Sequence, residues 1–395
     1  MTERTAGVKL AGVDELEVEV EKLIAGGDGL ARWQGVPIFI PRSAPGDRLR
    51  VRLVERRTDY GRAEIVDILE PGPGRRTPPC PFFGSCGGCD LQHLEDGYQS
   101  ELKALAVRET LARLGGLSLS IPTQLVRGAA WAYRQRAQLH TAGHDEDRRT
   151  GFRTRRGGDV VAVDACPVLV PELESRLPEL IEALPEDAPR RLDVLVGDGE
   201  VLTTAPRSAQ LPQREVRITV GDLQFELDAR CFFQAHRELL PRLVDEAVGP
   251  WRGHQAFDLY AGVGLFSLPL AQRYDRVVAV EGDGVAGRFL KRNARRGRCD
   301  QLDFEHSAID SWIGKLPQRA DRVIVDPPRA GLSARTCEAI AKKLPARLTY
   351  VSCHAATLAR DLKILTRAFE IEKIVMLDLF PQTGHMEVVV QMSSS

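Results

Sequence analysis

The spacing of apolar and polar positions changes character along the chain. Between residues 14 and 70 the apolar residues fall in short runs separated by Gly and Pro turns: "LEVEVEKL", "VPIFI", "DRLRVRLVE" and "GRAEIVDIL". Alternation in "RLRVRLV" is the period-two pattern of a strand with one buried face. Several such pieces in so few residues predict a small closed barrel of the oligonucleotide-binding kind over residues 10–72. Arg48, Arg50 and Arg52 then share one face of a strand, with Arg56, Arg57 and Arg62 nearby. That face is either solvated or a grip for phosphate.

"EPGPGRRTPPCP" is a Pro/Gly linker that ends the barrel. A cysteine-rich loop and a helix over 96–113 follow, and from about residue 126 to 225 the pattern returns to strands with Gly turns. Residues 73–235 are therefore read as a central β-rich domain. From about residue 255 to 392 apolar runs alternate with helical stretches: "QAFDLY", "RVVAVEG", "QLDFEH", "RVIVDPP", "LTYVSC", "EIEKIVMLDLF" and "HMEVVVQM". Strand–helix–strand repeats predict a mostly parallel, Rossmann-like sheet with helices on both faces over 236–395. The last two runs have no helix between them, which predicts a closing antiparallel hairpin. The fold class expected is a multidomain α/β protein.

Composition narrows the function. The 395 residues carry a formal net charge of −1, so a nucleic-acid partner must be argued from local clusters. The best cluster is the ribbon at 127–156, where Arg127, Arg134, Arg136, Arg148, Arg149, Arg153, Arg155 and Arg156 interleave with Trp131, Tyr133 and Phe152. Cations suit phosphates and flat rings suit unstacked bases, so the ribbon is an RNA-binding candidate. The acidic first thirty residues match no signal or transit peptide, and no eighteen-residue apolar run occurs. The expectation is a cytoplasmic protein with no membrane partner. Eight cysteines are too few for a disulfide scaffold, and their close spacing suggests metal or catalysis.

Three stretches of the last domain carry chemistry. "FDLYAGVGLFSLPLA" is a strand followed by Gly262 and Gly264 at a turn into a helix, where backbone approaches a ligand closely. Glu281, at the end of the next strand, is placed to accept hydrogen bonds from ribose hydroxyls. Together they indicate an adenosine-type ligand, either a dinucleotide or S-adenosylmethionine, and the missing third glycine weakens the dinucleotide. In "RVIVDPPRAGL" two prolines hold Asp326 rigidly beyond a strand, and Arg329 stands where methylases of exocyclic amines carry an aromatic residue. Cys353 ends the following strand, so it and Asp326 face one crevice.

Those residues suit attack on a pyrimidine. A thiolate adding to carbon 6 makes carbon 5 nucleophilic; carbon 5 takes an electrophilic methyl group, and a base then removes its proton. Glu387 in "GHMEVVVQM" is the candidate base, because a carboxylate entering an apolar strand is desolvated. Separately, Cys80, Cys86 and Cys89 form a C-x5-C-x2-C array in "CPFFGSCGGCDLQHL"; a fourth ligand is needed, and Cys166 in "VDACPVL" is the best candidate because it too precedes a proline. Four thiolates suit either tetrahedral zinc or an iron–sulfur cluster, and spacing does not separate the two. Cys231, Cys299 and Cys337 have no partner pattern.

In this order, "CPFFGSCGGCDLQHL", "CFFQAH", "DLYAGVGLFSLPLA", "VIVDPPRAGL", "YVSCHAATLARDL" and "HMEVVV" resemble the RNA 5-methyluridine methyltransferase family over nearly the whole chain. The barrel is similar to that family's TRAM domain, and the combination of barrel and four cysteines looks most like the members that methylate 23S ribosomal RNA. The resemblance implies a [4Fe-4S] cluster on Cys80, Cys86, Cys89 and Cys166. It implies Cys353 as nucleophile, Glu387 as base, and S-adenosylmethionine near Gln234, Tyr260, Glu281 and Asp326. This sequence departs from the family at Leu265 and His236, where asparagine is common. The expected activity is monomeric uracil-C5 methylation of ribosomal RNA. The alternatives are the same reaction on transfer RNA, or a nucleotide-dependent iron–sulfur oxidoreductase, which leaves Asp326 and Cys353 unexplained.

Overall fold

The computed structural model describes residue 10 and residues 12–118, 120–143, 147–155, 157–185 and 188–394. Strands β1 (Glu15–Leu23), β2 (Gly29–Trp33), β3 (Val36–Ile40), β4 (Arg48–Arg56) and β5 (Gly61–Glu70) close a barrel in the order β1-β2-β3-β5-β4. Side chains alternate out and in along β1, and Leu16, Val18 and Val20 meet Ile38, Ile40, Leu49 and Val51 inside. On the outside, Arg48 pairs with Glu17 and Glu70, Arg50 with Glu17 and Asp67, and Arg52 with Glu15. These ion pairs join neighbouring strands across the barrel surface, so the arginine face is the solvated, neutralised one and not a free grip for phosphate.

Helix α1 (Asp96–Gly115) leaves the cysteine loop as expected. Then come β6 (Thr123–Val126), β7 (Arg136–Ala142), β8 (Arg149–Arg153), β9 (Val160–Ala162), α2 (Pro171–Glu174), α3 (Leu177–Glu182), β10 (Arg191–Val196), β11 (Leu202–Ala205), β12 (Val216–Val220) and β13 (Leu223–Leu227). Five of these strands form one sheet in the order β11-β10-β7-β8-β9, with its core at Leu139, Leu169, Leu173, Leu177 and Leu192.

The remaining elements are α4 (Leu240–Val248), β14 (Gly253–Leu259), α5 (Ser267–Ala271), β15 (Tyr274–Glu281), α6 (Gly284–Arg296), β16 (Leu302–His306), α7 (Ile309–Trp312), β17 (Arg322–Val325), α8 (Ala334–Lys343), β18 (Arg347–Ser352), α9 (Ala355–Leu365), β19 (Phe369–Leu377) and β20 (Glu387–Ser394). They build an eight-stranded sheet ordered β16-β15-β14-β17-β18-β20-β19-β6. The five strands from β16 to β18 are parallel; β17 is buried throughout, as the core of such a sheet requires. β19 and β20 form the expected antiparallel pair, with β20 inserted between β18 and β19.

One boundary differs from the sequence expectation. β6, within the segment 73–235 read as a central domain, pairs parallel with β19 and forms the outer edge of the C-terminal sheet. Val107 and Leu111 of α1 pack with Leu358 and Leu362 of α9, and the β12–β13 hairpin shares a core with Leu240, Leu243 and Phe266. Covering an otherwise bare edge and a helix face satisfies hydrogen bonds and apolar area that a clean division would leave exposed. Among the described residues, no helix is long and apolar enough to cross a membrane.

Candidate active site

In the parallel part of the sheet, the chain runs β14-β15-β16 to one side and β17-β18 to the other. The crevice beyond the carboxyl ends of β14 and β17 is therefore the switch point where ligands bind in open α/β sheets. Four of the sequence candidates stand there because each directly ends or follows a strand: Tyr260 after β14, Glu281 at the end of β15, Asp326 after β17 and Cys353 after β18. Glu387 begins β20, which pairs with β18.

The cofactor loop is tightly held. Tyr260 has φ +66, a conformation that non-glycine residues adopt at a cost of about 1–3 kcal/mol and retain where the surroundings impose it. Its amide and that of Ala261 both donate to Val280 O. Gly262, at φ +54, faces open space where a Cβ would stand, so a ligand can approach its backbone. The Glu281 carboxylate accepts the Gly262 amide at 2.8 Å and the Asp283 amide at 2.7 Å. Asn293 donates to Val263 O and pins the loop to α6. Gln234 is buried and its Oε1 has no partner among the described residues, which leaves an acceptor for a ligand's N–H. Of the two departures from the family pattern, Leu265 is packed in the core, and His236 stacks on Tyr133 with its Nε2 on Ala129 O.

The reactive end is crowded with acids. Burial, then the neighbouring Asp258, raises the Asp326 carboxyl to about 7. Burial likewise raises Asp258 to about 7, although its Oδ2 accepts a hydrogen bond from Ser267. Glu387 is buried, and burial followed by the charge of Asp326 lifts it well above the usual carboxylate range. The Cys353 thiol is raised to about 11 by burial and then by Glu387. Arg329 opposes both shifts, lying against the thiol and favouring the charged forms of Cys353 and Glu387. His354 caps α9, its Nδ1 accepting the Thr357 amide at 3.3 Å, which orients the turn beside Cys353.

Arg329 was read in the sequence only as a missing aromatic; its place against the nucleophile follows from the turn after Pro328, which no pattern announces. The aromatic ribbon is also reassigned. Trp131 donates to Asp96 and lies under Arg76, Tyr133 donates to Pro381 O, and Phe152 lines the cysteine cavity. Of its arginines, Arg127, Arg149 and Arg155 are paired with carboxylates, and Arg156 lies outside the described residues. Among the described residues, the aromatic ring left in the open is Phe232, 67% exposed beneath the Arg136 guanidinium, two residues before Gln234.

Cys80, Cys86, Cys89 and Cys166 line one cavity, all as free thiols, together with Gln92 and Arg134. Burial raises Cys89 to about 12 and Cys166 to about 11, and each is raised further by its neighbouring cysteines. The Gly88 amide donates to Cys86 Sγ at 3.4 Å, and Gln92 accepts the Cys80 amide. Among the described residues no group of His, Cys, Asp or Glu is arranged to hold a metal ion as it stands.

A glycine-loop crevice at the switch point of an open α/β sheet, in a chain that begins with a small barrel, suits an enzyme that binds an adenosine-type ligand. The chain belongs to the RNA uracil-C5 methyltransferase family. Residues 316–395 match the family model described as tRNA (Uracil-5-)-methyltransferase, and residues 13–66 match the TRAM domain. The 23S rRNA (uracil(1939)-C(5))-methyltransferase RlmD of Pectobacterium atrosepticum is 33% identical over 96% of this chain and 94% of that one. Its namesake in Shewanella amazonensis is 34% identical over 94% of each. Among solved structures, the Pyrococcus abyssi tRNA (uracil-54, C5)-methyltransferase in complex with S-adenosyl-L-homocysteine superposes with a TM-score of 0.72 at 26% identity, over 95% of this chain and 100% of that one.

Proposed function

We propose that this methyltransferase acts on a uridine of 23S ribosomal RNA, with Cys353 as nucleophile and Glu387 as base. The observation that carries the reading is the convergence of Cys353, Asp326 and Glu387 on one end of the sheet, beside the glycine loop. The substrate is supported by the relatives at 33–34% identity, which bear the ribosomal name. Transfer RNA is the second reading, favoured by the Pyrococcus abyssi structure. An rRNA substrate would be met in the cytoplasm.

In this scheme the Cys353 thiol first loses its proton to solvent, the thiolate sulfur then bonds to carbon 6 of the uracil, and the ring electrons make carbon 5 nucleophilic. S-adenosylmethionine, when bound, supplies the electrophilic methyl group and a positive charge; the residues suited to hold it are Gln234, Tyr260, Gly262, Gly264, Glu281 and Asp326. Glu387 takes the carbon 5 proton, and the electrons of that bond expel Cys353 as thiolate. Burial favours the neutral forms of both Cys353 and Glu387, so each must be ionised before it takes up its role. Arg329 supplies the local positive charge that both ionised forms need. The base must leave its stack to reach Cys353, at a cost of a few kcal/mol that is smaller in a loop than in a duplex.

We infer further that Cys80, Cys86, Cys89 and Cys166 hold a [4Fe-4S] cluster in a central β-rich domain. Four thiols brought round one cavity, with an amide donor at Cys86 and the Arg134 cation beside them, suit a sulfur-ligated group that carries negative charge. An anaerobic preparation should contain iron and lose it in Cys166→Ser; zinc without iron would overturn the assignment. For the reaction, 5-fluorouridine in place of uridine blocks proton removal. Ribosomal and transfer RNA carrying it, incubated with methyl donor, should give a denaturation-resistant adduct with the ribosomal RNA that disappears in Cys353→Ala. An adduct that persists in Cys353→Ala would sink the nucleophile, and one formed with transfer RNA alone would sink the substrate.

A further inference from the structure

The loop between β19 and β20 places His385 two residues before Glu387, where its Nε2 lies 3.0 Å from Arg329 Nη2. The residue is held elsewhere too: the ring meets Phe380 edge-on, and the His385 backbone amide donates to Thr383 Oγ1. Arg329 comes from a different segment, the turn after Pro328, and its side chain is long and exposed. Left alone, a guanidinium in that position has several rotamers and loses side-chain entropy when held in one of them. Resting on the reading of Cys353 as nucleophile, we propose that His385 is a positioning residue: as a neutral acceptor, it anchors the Arg329 guanidinium against the Cys353 thiol.

The choice of histidine has a physical reason. A carboxylate at this position would anchor the arginine more strongly but neutralise it, removing the cation that Cys353 and Glu387 face. A neutral imidazole takes one N–H and leaves the positive charge for the reacting groups. It must accept at Nε2, which fixes its proton on Nδ1. Burial, followed by the charges of Arg329 on the turn after β17, Lys103 on α1, His354 after β18 and Arg134 before β7, disfavours a protonated imidazole and holds it down at about 4. Across the neutral range His385 therefore stays an acceptor.

The test reads the thiol itself. Alkylation of Cys353 by iodoacetamide, followed across pH by mass spectrometry of the peptide that contains it, reports its thiolate fraction in the protein without RNA. His385→Ala should slow alkylation near neutral pH by about tenfold, equivalent to a shift of one pKa unit. It should lower kcat for methyl transfer and leave KM for S-adenosylmethionine in place. His385→Gln, which keeps a neutral acceptor, should recover most of the rate, and thermal unfolding of both variants separates misfolding from loss of position. An alkylation profile unchanged in folded His385→Ala would overturn the proposal, as would a His385→Gln as impaired as His385→Ala. Failure of the nucleophile reading is a separate result: it shows as a fluorouridine adduct that survives in Cys353→Ala.

Discussion

Gly26 and Gly384 meet backbone to backbone: the Gly26 amide donates to the Gly384 carbonyl at 3.3 Å. Gly26 lies in the turn between β1 and β2 of the barrel, and Gly384 in the loop that delivers His385 and Glu387. The same loop is held by Asp90, which accepts the Gly384 amide and donates its own amide to Gln382 O. A barrel turn and the cysteine loop thus clasp the segment that carries the candidate base.

A methyl group at Gly384 would lie 2.3 Å from the Gly26 carbonyl carbon, and backbone cannot move aside as a side-chain tip can. Gly384→Ala is expected to cost roughly 1–3 kcal/mol of stability by overpacking and to lower methyl transfer by displacing Glu387. Gly314→Ala, which meets nothing within 4 Å, should change neither. Thermal unfolding and single-turnover methylation of the two variants measure the contrast; equal behaviour would show that the clasp does not constrain the loop.

Lys103 of α1 donates to Asp378 at 2.5 Å and to Phe380 O at 3.1 Å, and Ser100 donates to the other Asp378 oxygen. Both charges are buried. Removing one partner leaves the other desolvated, so Lys103→Met should destabilise by about 3–5 kcal/mol, whereas Lys103→Met with Asp378→Asn should recover most of that loss. Urea unfolding of the single and double variants distinguishes a coupled pair from two independent contributions, for which the losses would simply add.

Asp258 and Asp326, both held at about 7, bind protons more tightly in the folded chain than in the unfolded one, where aspartate titrates near 3.9. Their contribution to stability is complete below about pH 4 and is lost as pH rises through about 7. Asp258→Asn removes one such group and lowers the other by removing its negative neighbour. Relative to the parent, that variant should gain on the order of 2–4 kcal/mol between pH 4 and pH 7. Parallel curves of unfolding free energy against pH would show that the two carboxyls do not titrate as buried acids.

Much of this organisation is legible in the sequence, for identifiable reasons. The short apolar runs at 323–325 and 348–351 are buried strands of a parallel sheet, so the residues that end them fall at one edge whatever the loops do. The barrel is readable because its strands are half-buried and alternate. What escapes the sequence depends on partners far along the chain. Whether Arg48 is free for phosphate is decided by Glu17 on β1 and Glu70 on β5. "TQLV" has no period that would assign it to the edge of a sheet built 250 residues later. Trp131 and Tyr133 turn inward because Asp96 and the Pro381 carbonyl claim their polar atoms. The pattern of residue types near them is the one that suits RNA, and only tertiary contact tells the two uses apart.

Phe232 then becomes the aromatic ring available to a base. It is 67% exposed, with the Arg136 guanidinium 5.3 Å from its centroid, while its neighbour Phe233 is buried and Arg136 donates to the Phe233 carbonyl. The backbone on either side is therefore anchored, and the exposed ring is presented rigidly, just before Gln234. Stacking of a base on such a ring contributes about 1–3 kcal/mol, so Phe232→Ala should weaken RNA binding roughly 5- to 150-fold. Because the ring is exposed, the melting temperature should stay within a degree or two, and affinity for S-adenosyl-L-homocysteine should not change. Phe232→Trp, which keeps a flat ring, should retain binding. Filter-binding titrations with single-stranded ribosomal RNA segments check this; unchanged affinity in Phe232→Ala would remove Phe232 from the RNA surface and return the search to Arg136 and Arg153.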